Sequence, residues 1–278
     1  MPTARELDPD RPEFAIKPSG RSISPTGKVI VDVEDGILVI TLNRPEARNA
    51  IDRDLSYETC AAVDHLDATP ELRVGILTGA GGNFCAGMDL KAFARGEVAR
   101  VEGRGLLGIA FTPPVKPMIA AVEGYCLAGG FEATLACDLM VASSEARFGL
   151  PEAKRGLAAA AGGLIRLPRT IPSRIAMELA LTGDLVDADL LYRHGLINDL
   201  THPGGALDGA MSLARRIVPN APLSLAASKR VINEQRDWAT SEDFERQVEI
   251  TGPVLASKDA KEGAIAFAEK RAPKWSGS

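Results

Sequence analysis

Little in this sequence suits metal, redox or nucleic-acid chemistry. Of 278 residues, 4 are cysteine and 3 are histidine. Cys60, Cys85, Cys126 and Cys137 form no Cys-x-x-Cys pair, and His65, His194 and His202 lack a partner at ligand spacing. A zinc site and a Ser-His-Asp triad are therefore without support, and no Gly-x-Ser-x-Gly elbow occurs. The cysteines read as buried free thiols in a reducing, cytoplasmic setting. Cys85 and Cys126 leave a reactive thiol open as an alternative, which would need a base nearby. Aromatics are only 5% of the chain, too few for a nucleic-acid stacking platform. Lys and Arg number 32 against 37 Asp and Glu, net −5, so no broad surface for polyanions is expected and nucleic acid is not a predicted partner. A phosphate-bearing ligand would need a local basic patch. No apolar run reaches the about 18 residues of a membrane span. The N-terminal stretch lacks the apolar middle of a signal peptide, and Glu6, Asp8, Asp10 and Glu13 interrupt its basic residues against a transit peptide.

What is present is an ordinary globular composition, 45% hydrophobic and 25% charged, long enough for one large core or a domain with an appendage. Residues 1–26 carry Pro2, Pro9, Pro12, Pro18 and Pro25 among few apolar side chains and read as a flexible or surface-draped tail. Alternating Val29, Val31 and Val33, then Asp35-Gly36, then Ile37 to Leu42 predict a β-hairpin. Helix spacing follows over 51–66. Apolar strands are expected at 72–78, 118–122 and 138–142, each leading through small residues toward a helix, so residues 27–205 read as an α/β core. Residues 206–278 read as a helical region, with amphipathic segments at 207–217, 223–238, 241–255 and 259–270. The charged and proline-bearing stretch 92–117 is expected to be a mobile rim or a solvated connection. Within it, Gly103-Arg104-Gly105-Leu106-Leu107-Gly108 matches G-x-G-x-x-G, but the charged residues before it do not form the buried strand that a dinucleotide fingerprint requires.

Two small-residue turns stand out. Phe84-Cys85-Ala86-Gly87-Met88-Asp89-Leu90-Lys91 follows the strand ending at Thr78, and Gly124-Tyr125-Cys126-Leu127-Ala128-Gly129-Gly130-Phe131-Glu132 follows the strand ending at Val122. Each exposes backbone N–H groups at a helix start, where the helix dipole favours negative charge. Two such turns can converge on one carbonyl oxygen as an oxyanion hole; the plainer alternative is that they only redirect the chain. Glu132 lies one turn beyond the second, and Glu152 returns after a further strand and loop.

These segments resemble the signature regions of the crotonase superfamily, which includes enoyl-CoA hydratases and isomerases. The likeness runs from about Val29 to Trp275 and includes Leu42-Asn43-Arg44-Pro45, Phe148-Gly149-Leu150-Pro151-Glu152, Leu181-Thr182-Gly183 and Ala266-Phe267-Ala268-Glu269-Lys270-Arg271. The resemblance implies a spiral of β-β-α units with a helical C-terminal region that assembles as a homotrimer or a dimer of trimers. It implies an acyl-CoA thioester substrate, with coenzyme A arriving as part of that substrate and no separate cofactor or metal. It assigns the oxyanion donors to Met88 and Gly129, water activation to Glu132 and proton delivery to Glu152. It places Ala47, Arg48, Ala86, Asp89, Leu90 and Lys91 around the CoA moiety, with Phe267 and Lys270 reaching its nucleotide end from a neighbouring subunit. The reaction implied is reversible hydration of a 2-enoyl-CoA within fatty acid metabolism. The alternatives are carnitinyl-type dehydration, double-bond isomerisation, or a non-catalytic acyl-CoA-binding protein. One departure is Gly156-Leu157-Ala158-Ala159-Ala160-Ala161-Gly162-Gly163, where Ala160 takes a position at which the family often has a glycine beside the catalytic water.

Overall fold

Residues 2–278 are described by a computed structural model. Gly20–Ile23 (β1) pairs antiparallel with Val29–Glu34 (β2), which turns into Ile37–Leu42 (β3). Asp35 and Gly36 make that turn with φ of 50° and 78°, the left-handed pair that a tight two-residue hairpin demands. Val74–Gly79 (β4) then lies parallel to β3. Arg100–Val101 (β5) and Gly105–Leu106 (β6) form a separate small hairpin. The remaining strands are Met118–Val122 (β7), Tyr125–Leu127 (β8), Leu139–Ser143 (β9), Arg147–Gly149 (β10), Val186–Asp187 (β11) and Asp199–Thr201 (β12). The main sheet has the order β1-β2-β3-β4-β7-β9-β12, and a second sheet has the order β11-β10-β8.

The main sheet is parallel from β3 onward, and its strands are apolar on both faces because both are covered. Ile37, Val39, Val74, Ile76, Ile119, Ala121 and Val141 face the alanines of the Ala206–Ile217 helix. Leu38, Ile40, Leu77, Ala120 and Val122 face the larger core, with Leu55, Val63 and Leu66 of the Arg53–Ala68 helix. Successive units climb as a spiral. β4 leads to the Cys85 segment and the Leu90–Ala94 helix, β7 to β8 and the Gly129–Thr134 helix, and β9 to β10 and the Pro151–Arg155 3-10 turn. The second members of these units stack: the backbone at Cys85 pairs parallel with that at Cys126 of β8, both thiols being free, and β8 runs parallel to β10. Phe131 meets Phe148 edge-on at 5.3 Å between the last two units.

Residues 3–26 lie on this core. Thr3 caps the Ala4–Leu7 helix, the Ala4 N–H donates to Asp64 at 2.7 Å, and Arg11 covers the Tyr57 ring while pairing with Asp54 at 2.9 Å. The stretch 92–117 is a solvated connection only in part: Phe93, Ala94, Arg95, Gly96 and Val98 are exposed, but residues 104–110 turn into the core. Arg104 is 5% exposed, paired with Asp64 at 2.9 Å and donating to the Gly108 carbonyl at 3.1 Å, and Leu107, Ile109 and Ala110 are buried beside it. Its G-x-G-x-x-G match is the β5–β6 hairpin and the turn after it, not a strand-to-helix phosphate loop. Helices also begin earlier than the sequence pattern suggests, with Gly163–Thr170 and Ser173–Thr182 preceding Ala188–Arg193. In the C-terminal region the helices are Ala206–Ile217, Pro222–Glu234, Asp243–Leu255 and Lys258–Glu269.

Candidate active site

The first signature turn is set by an asparagine and an arginine. Asn49 is fully buried, its Nδ2 donating to the carbonyls of Ala80 and Asn83 at 2.9 and 2.8 Å, while its Oδ1 accepts the Arg44 N–H at 2.8 Å. Arg44 pairs with Asp52 at 3.2 Å and Asp89 at 3.1 Å. The Leu42-Asn43-Arg44-Pro45 motif thus fastens the loop carrying Ala47 and Arg48 to the turn carrying Met88. Ala86 donates to the Arg48 carbonyl at 3.0 Å, and the Arg48 guanidinium stacks 5.2 Å from the Tyr125 ring centroid. The Asp89 carboxylate caps the next helix, accepting the Lys91 and Ala92 N–H groups at 3.0 and 3.1 Å, while Leu90 and Lys91 are exposed.

The two turns meet. The β-carbon position of Gly129 lies 3.8 Å from the Met88 nitrogen, and that of Gly87 lies 3.3 Å from the Gly129 nitrogen. Among the described residues, neither the Met88 nor the Gly129 N–H is donated to another group. Ala128 between them holds φ 50° and ψ −128°, a strained conformation for a residue with a side chain. A β-carbon at Gly129 would sit 2.6 Å from Leu106 Cδ1, so a side chain here must displace Leu106 as well as crowd access to the backbone.

The carboxylates sit in contrasting surroundings. Glu132 is 2% exposed, and its Oε1 accepts the N–H groups of Ala161 and Gly163 at 2.7 and 2.9 Å. Burial pushes its pKa up, opposed by those two donors and by the Arg166 charge. A β-carbon at Gly163 would lie 3.0 Å from that same Oε1, so any larger residue there would press on the carboxylate. Glu152 is half-buried on the Pro151–Arg155 turn, its Oε2 enclosed without a hydrogen-bond partner. Burial pushes its pKa up to about 7; the Glu132 charge adds to the rise, and a bond from its own backbone opposes it. One carboxylate is therefore held by fixed donors, and the other is poised to hold a proton near neutrality.

The chain belongs to the enoyl-CoA hydratase/isomerase family. The model of that family, described as enoyl-CoA hydratase/isomerase, matches residues 32–278. The crystal structure of an enoyl-CoA hydratase from Mycobacterium tuberculosis H37Rv superposes with a TM-score of 0.88 at 56% identity, covering 90% of this chain and 99% of that one. A carnitinyl-CoA dehydratase of Salmonella arizonae is 42% identical over 249 residues, 87% of this chain and 95% of the relative. A mevalonyl-coenzyme A hydratase of Aspergillus fumigatus is 40% identical over 245 residues, 86% of this chain and 91% of the relative. The protein is thus an enzyme of the crotonase superfamily, hydratase-like and of the hydro-lyase kind, with the superfamily's mixed α/β fold and helical C-terminal region.

The remaining candidate residues fall elsewhere. Phe267 is 87% exposed on the last helix, and Lys270 caps that helix in the left-handed conformation with φ 54°. No hydrogen bond among the described residues joins either to the signature turns. Ala160 is exposed, and the donors to Glu132 come from its neighbours Ala161 and Gly163. The cysteines are protonated thiols rather than nucleophiles: burial pushes Cys60, Cys85 and Cys137 up to about 12, and Cys126 upward as well. Sequence reasoning passed over Arg166, which lies one turn past Gly163, and Leu106, which leans on Gly129. An arginine in the first turn of a helix opposes the dipole there, a signal that could have singled Arg166 out.

Proposed function

We propose that the protein reversibly adds water to a 2-enoyl-CoA thioester, giving the 3-hydroxyacyl-CoA. The observation that carries this reading is the contrast between Glu132, held by two N–H donors, and Glu152, whose pKa stands near 7, beside two undonated N–H groups. The Met88 and Gly129 N–H groups receive the thioester oxygen as it gains enolate charge. Glu132 accepts a proton from water as the water oxygen bonds to Cβ, and Glu152 gives its proton to Cα. The reverse reaction takes the same proton from Cα and expels water. Coenzyme A is part of the substrate, and the mechanism calls on no other cofactor and no metal.

Ala47, Arg48, Ala86, Asp89, Leu90 and Lys91 line the approach of the CoA moiety, with Arg48 on its Tyr125 platform facing phosphate. Phe267 and Lys270, exposed at the end of the last helix, act on a neighbouring subunit in a homotrimer or a dimer of trimers. Chemically, a fatty-acyl ester is the substrate class, and fatty acid metabolism the setting. No helix among the described residues is long and apolar enough to cross a membrane, and four free cysteines suit the reducing cytoplasm.

The test is loss of enoyl-thioester absorbance when the protein is mixed with crotonyl-CoA, with mass spectrometry confirming the gain of one water. A carnitinyl-type ester assayed in parallel separates the second reading, which the Salmonella relative favours. Binding of both esters without turnover of either would overturn the hydration and carnitinyl readings together.

A further inference from the structure

The charge of Arg166 is felt by buried Glu132, and nothing in the hydration scheme uses it. It is half-buried on the Gly163–Thr170 helix, and its Nη1 donates to the Ala110 carbonyl at 2.7 Å. Its own N–H donates to the Gly162 carbonyl at 2.8 Å, and a β-carbon at Gly162 would collide with Nη1. The guanidinium therefore folds back over the turn whose Ala161 and Gly163 N–H groups grip Glu132 Oε1. Ala110 belongs to the segment that starts at Leu106, the side chain leaning on Gly129. One arginine thus links the acid–base half of the site to the wall of its oxyanion half.

We propose that Arg166 is a positioning residue for Glu132, clamping the Ala161–Gly163 turn to Ala110 and holding a positive charge beside the carboxylate so that it stays ionised as the base. The inference rests on the hydratase reading for its catalytic consequence, though not for its electrostatics. The groups that bear on the pair are Glu152 from the Pro151–Arg155 turn, Cys137 beyond the Gly129–Thr134 helix, and Arg169 on the arginine's own helix. Cys137 is a neutral thiol at working pH, and Arg169 is paired with Asp237 at 3.4 Å. Glu152, which holds a proton near neutrality, adds a second negative charge only as the pH rises. The Gly163 and Ala161 N–H groups do most to hold the Glu132 charge against burial, and Arg166, which braces the turn that carries them, adds its own positive charge to theirs.

Arg166→Gln keeps a donor for Ala110 and removes the charge; Arg166→Lys keeps the charge and loses the fork. With crotonyl-CoA, Arg166→Gln is expected to move the acid limb of kcat/KM upward by about one pH unit, a roughly tenfold loss below neutrality that recovers in base. KM should change little, and Arg166→Lys should stay close to wild type. A purely structural role would instead lower the rate equally at every pH. Difference infrared titration of the Glu132 carboxyl, read against Glu132→Gln, gives the same answer without turnover. A Glu132 titration in Arg166→Gln that overlays the wild type overturns the proposal. If Arg166→Gln does not fold, Arg166→Lys decides: a Glu132 titration moved upward by about one pH unit although the charge is kept would equally overturn it. A wild type that does not hydrate crotonyl-CoA removes the hydratase reading alone, because the infrared arm still stands.

Discussion

Every residue of the Gly129–Thr134 helix is buried, whereas the Pro222–Glu234 and Asp243–Leu255 helices bury none. The first belongs to a sheet-backed spiral in which each turn is gripped by the next. The others carry Phe244 at 81% exposure and Leu255 at 80%, and Phe267 on the helix that follows stands at 87%. Covering large apolar side chains left this open would contribute about 25 cal/mol per Å² of area removed from water, which is why the proposed assembly is tested on this surface. The two regions differ in kind: the spiral fixes atoms for chemistry within one chain, and the C-terminal helices leave large apolar side chains open. The last helix is nonetheless held firmly in place. Asp259 accepts Ser276 and Gly277 N–H groups at 2.6 and 3.0 Å, and Trp275 Nε1 donates to the Pro219 carbonyl at 2.6 Å.

The sharpest break in that comparison comes from the carboxylates. Glu132→Gln and Glu152→Gln keep shape and remove the titrating group, and each should lower turnover with crotonyl-CoA by about 10²–10⁴. Ester binding and subunit assembly should be unchanged, measured by calorimetry and sedimentation. Near-normal turnover in both variants would end the two-carboxylate mechanism. Next in size is Gly129→Val, with a loss of roughly 10²–10³ if an oxyanion donor is blocked. Because the added side chain first meets Leu106 Cδ1 at 2.6 Å, the double variant with Leu106→Ala sharpens the reading. It should remain slow; recovery of the rate would show that displaced packing, not the lost donor, caused the defect.

The C-terminal surface is tested more gently. Lys270→Glu should weaken a full CoA ester by about tenfold, or 1.4 kcal/mol, and a pantetheine thioester far less, because the latter lacks the nucleotide phosphates. Phe244→Glu should shift the sedimenting species toward monomer and lower affinity for the full ester in parallel. A fully active monomer, or equal effects of Lys270→Glu on both ligands, would return the last helices to a purely local role.

Legibility followed the same division. The hairpin, the strand at 118–122 and the four C-terminal helices were readable because they span enough residues to show a period. The second sheet was not, since β8 and β10 have three residues each, too short for any alternation to register. Helix starts at Gly163 and Ser173 were masked by glycine and proline, which read as breakers until the loop geometry is known. Within the site, the convergence of the two turns was implied by their chemistry, and Glu132 and Glu152 followed from the family resemblance. Leu106 was out of reach because its role depends on a contact between segments far apart in sequence, and Arg166 is marked only by its place at a helix start that was itself masked. Burial of Arg104 inverted the reading of residues 104–110 for the reason that hid Leu106: Asp64, its partner, is supplied by a different helix.

The smallest effect expected is on stability, and it exposes what the site costs the fold. Glu152 titrates near 7 in the folded chain, against about 4.3 when unfolded. Below the lower value both states carry the proton and the site exacts nothing. Between the two, the folded state holds a proton that the unfolded state has released, so stability falls as pH rises. Above the upper value the loss is complete. Glu152→Gln has no proton to lose, so its advantage over wild type should be near zero in acid and grow through neutrality. The gain should reach on the order of 1 kcal/mol in mild base, reduced because the carboxyl is only half-buried. Thermal melts across pH, at one protein concentration so that assembly does not intrude, measure this directly. The variant should be more stable in base while being slow, the mark of a carboxyl kept for chemistry at the expense of the fold. A stability difference that stays constant across pH would show that Glu152 is not held neutral, and with it would go the contrast between the two carboxylates on which the mechanism depends.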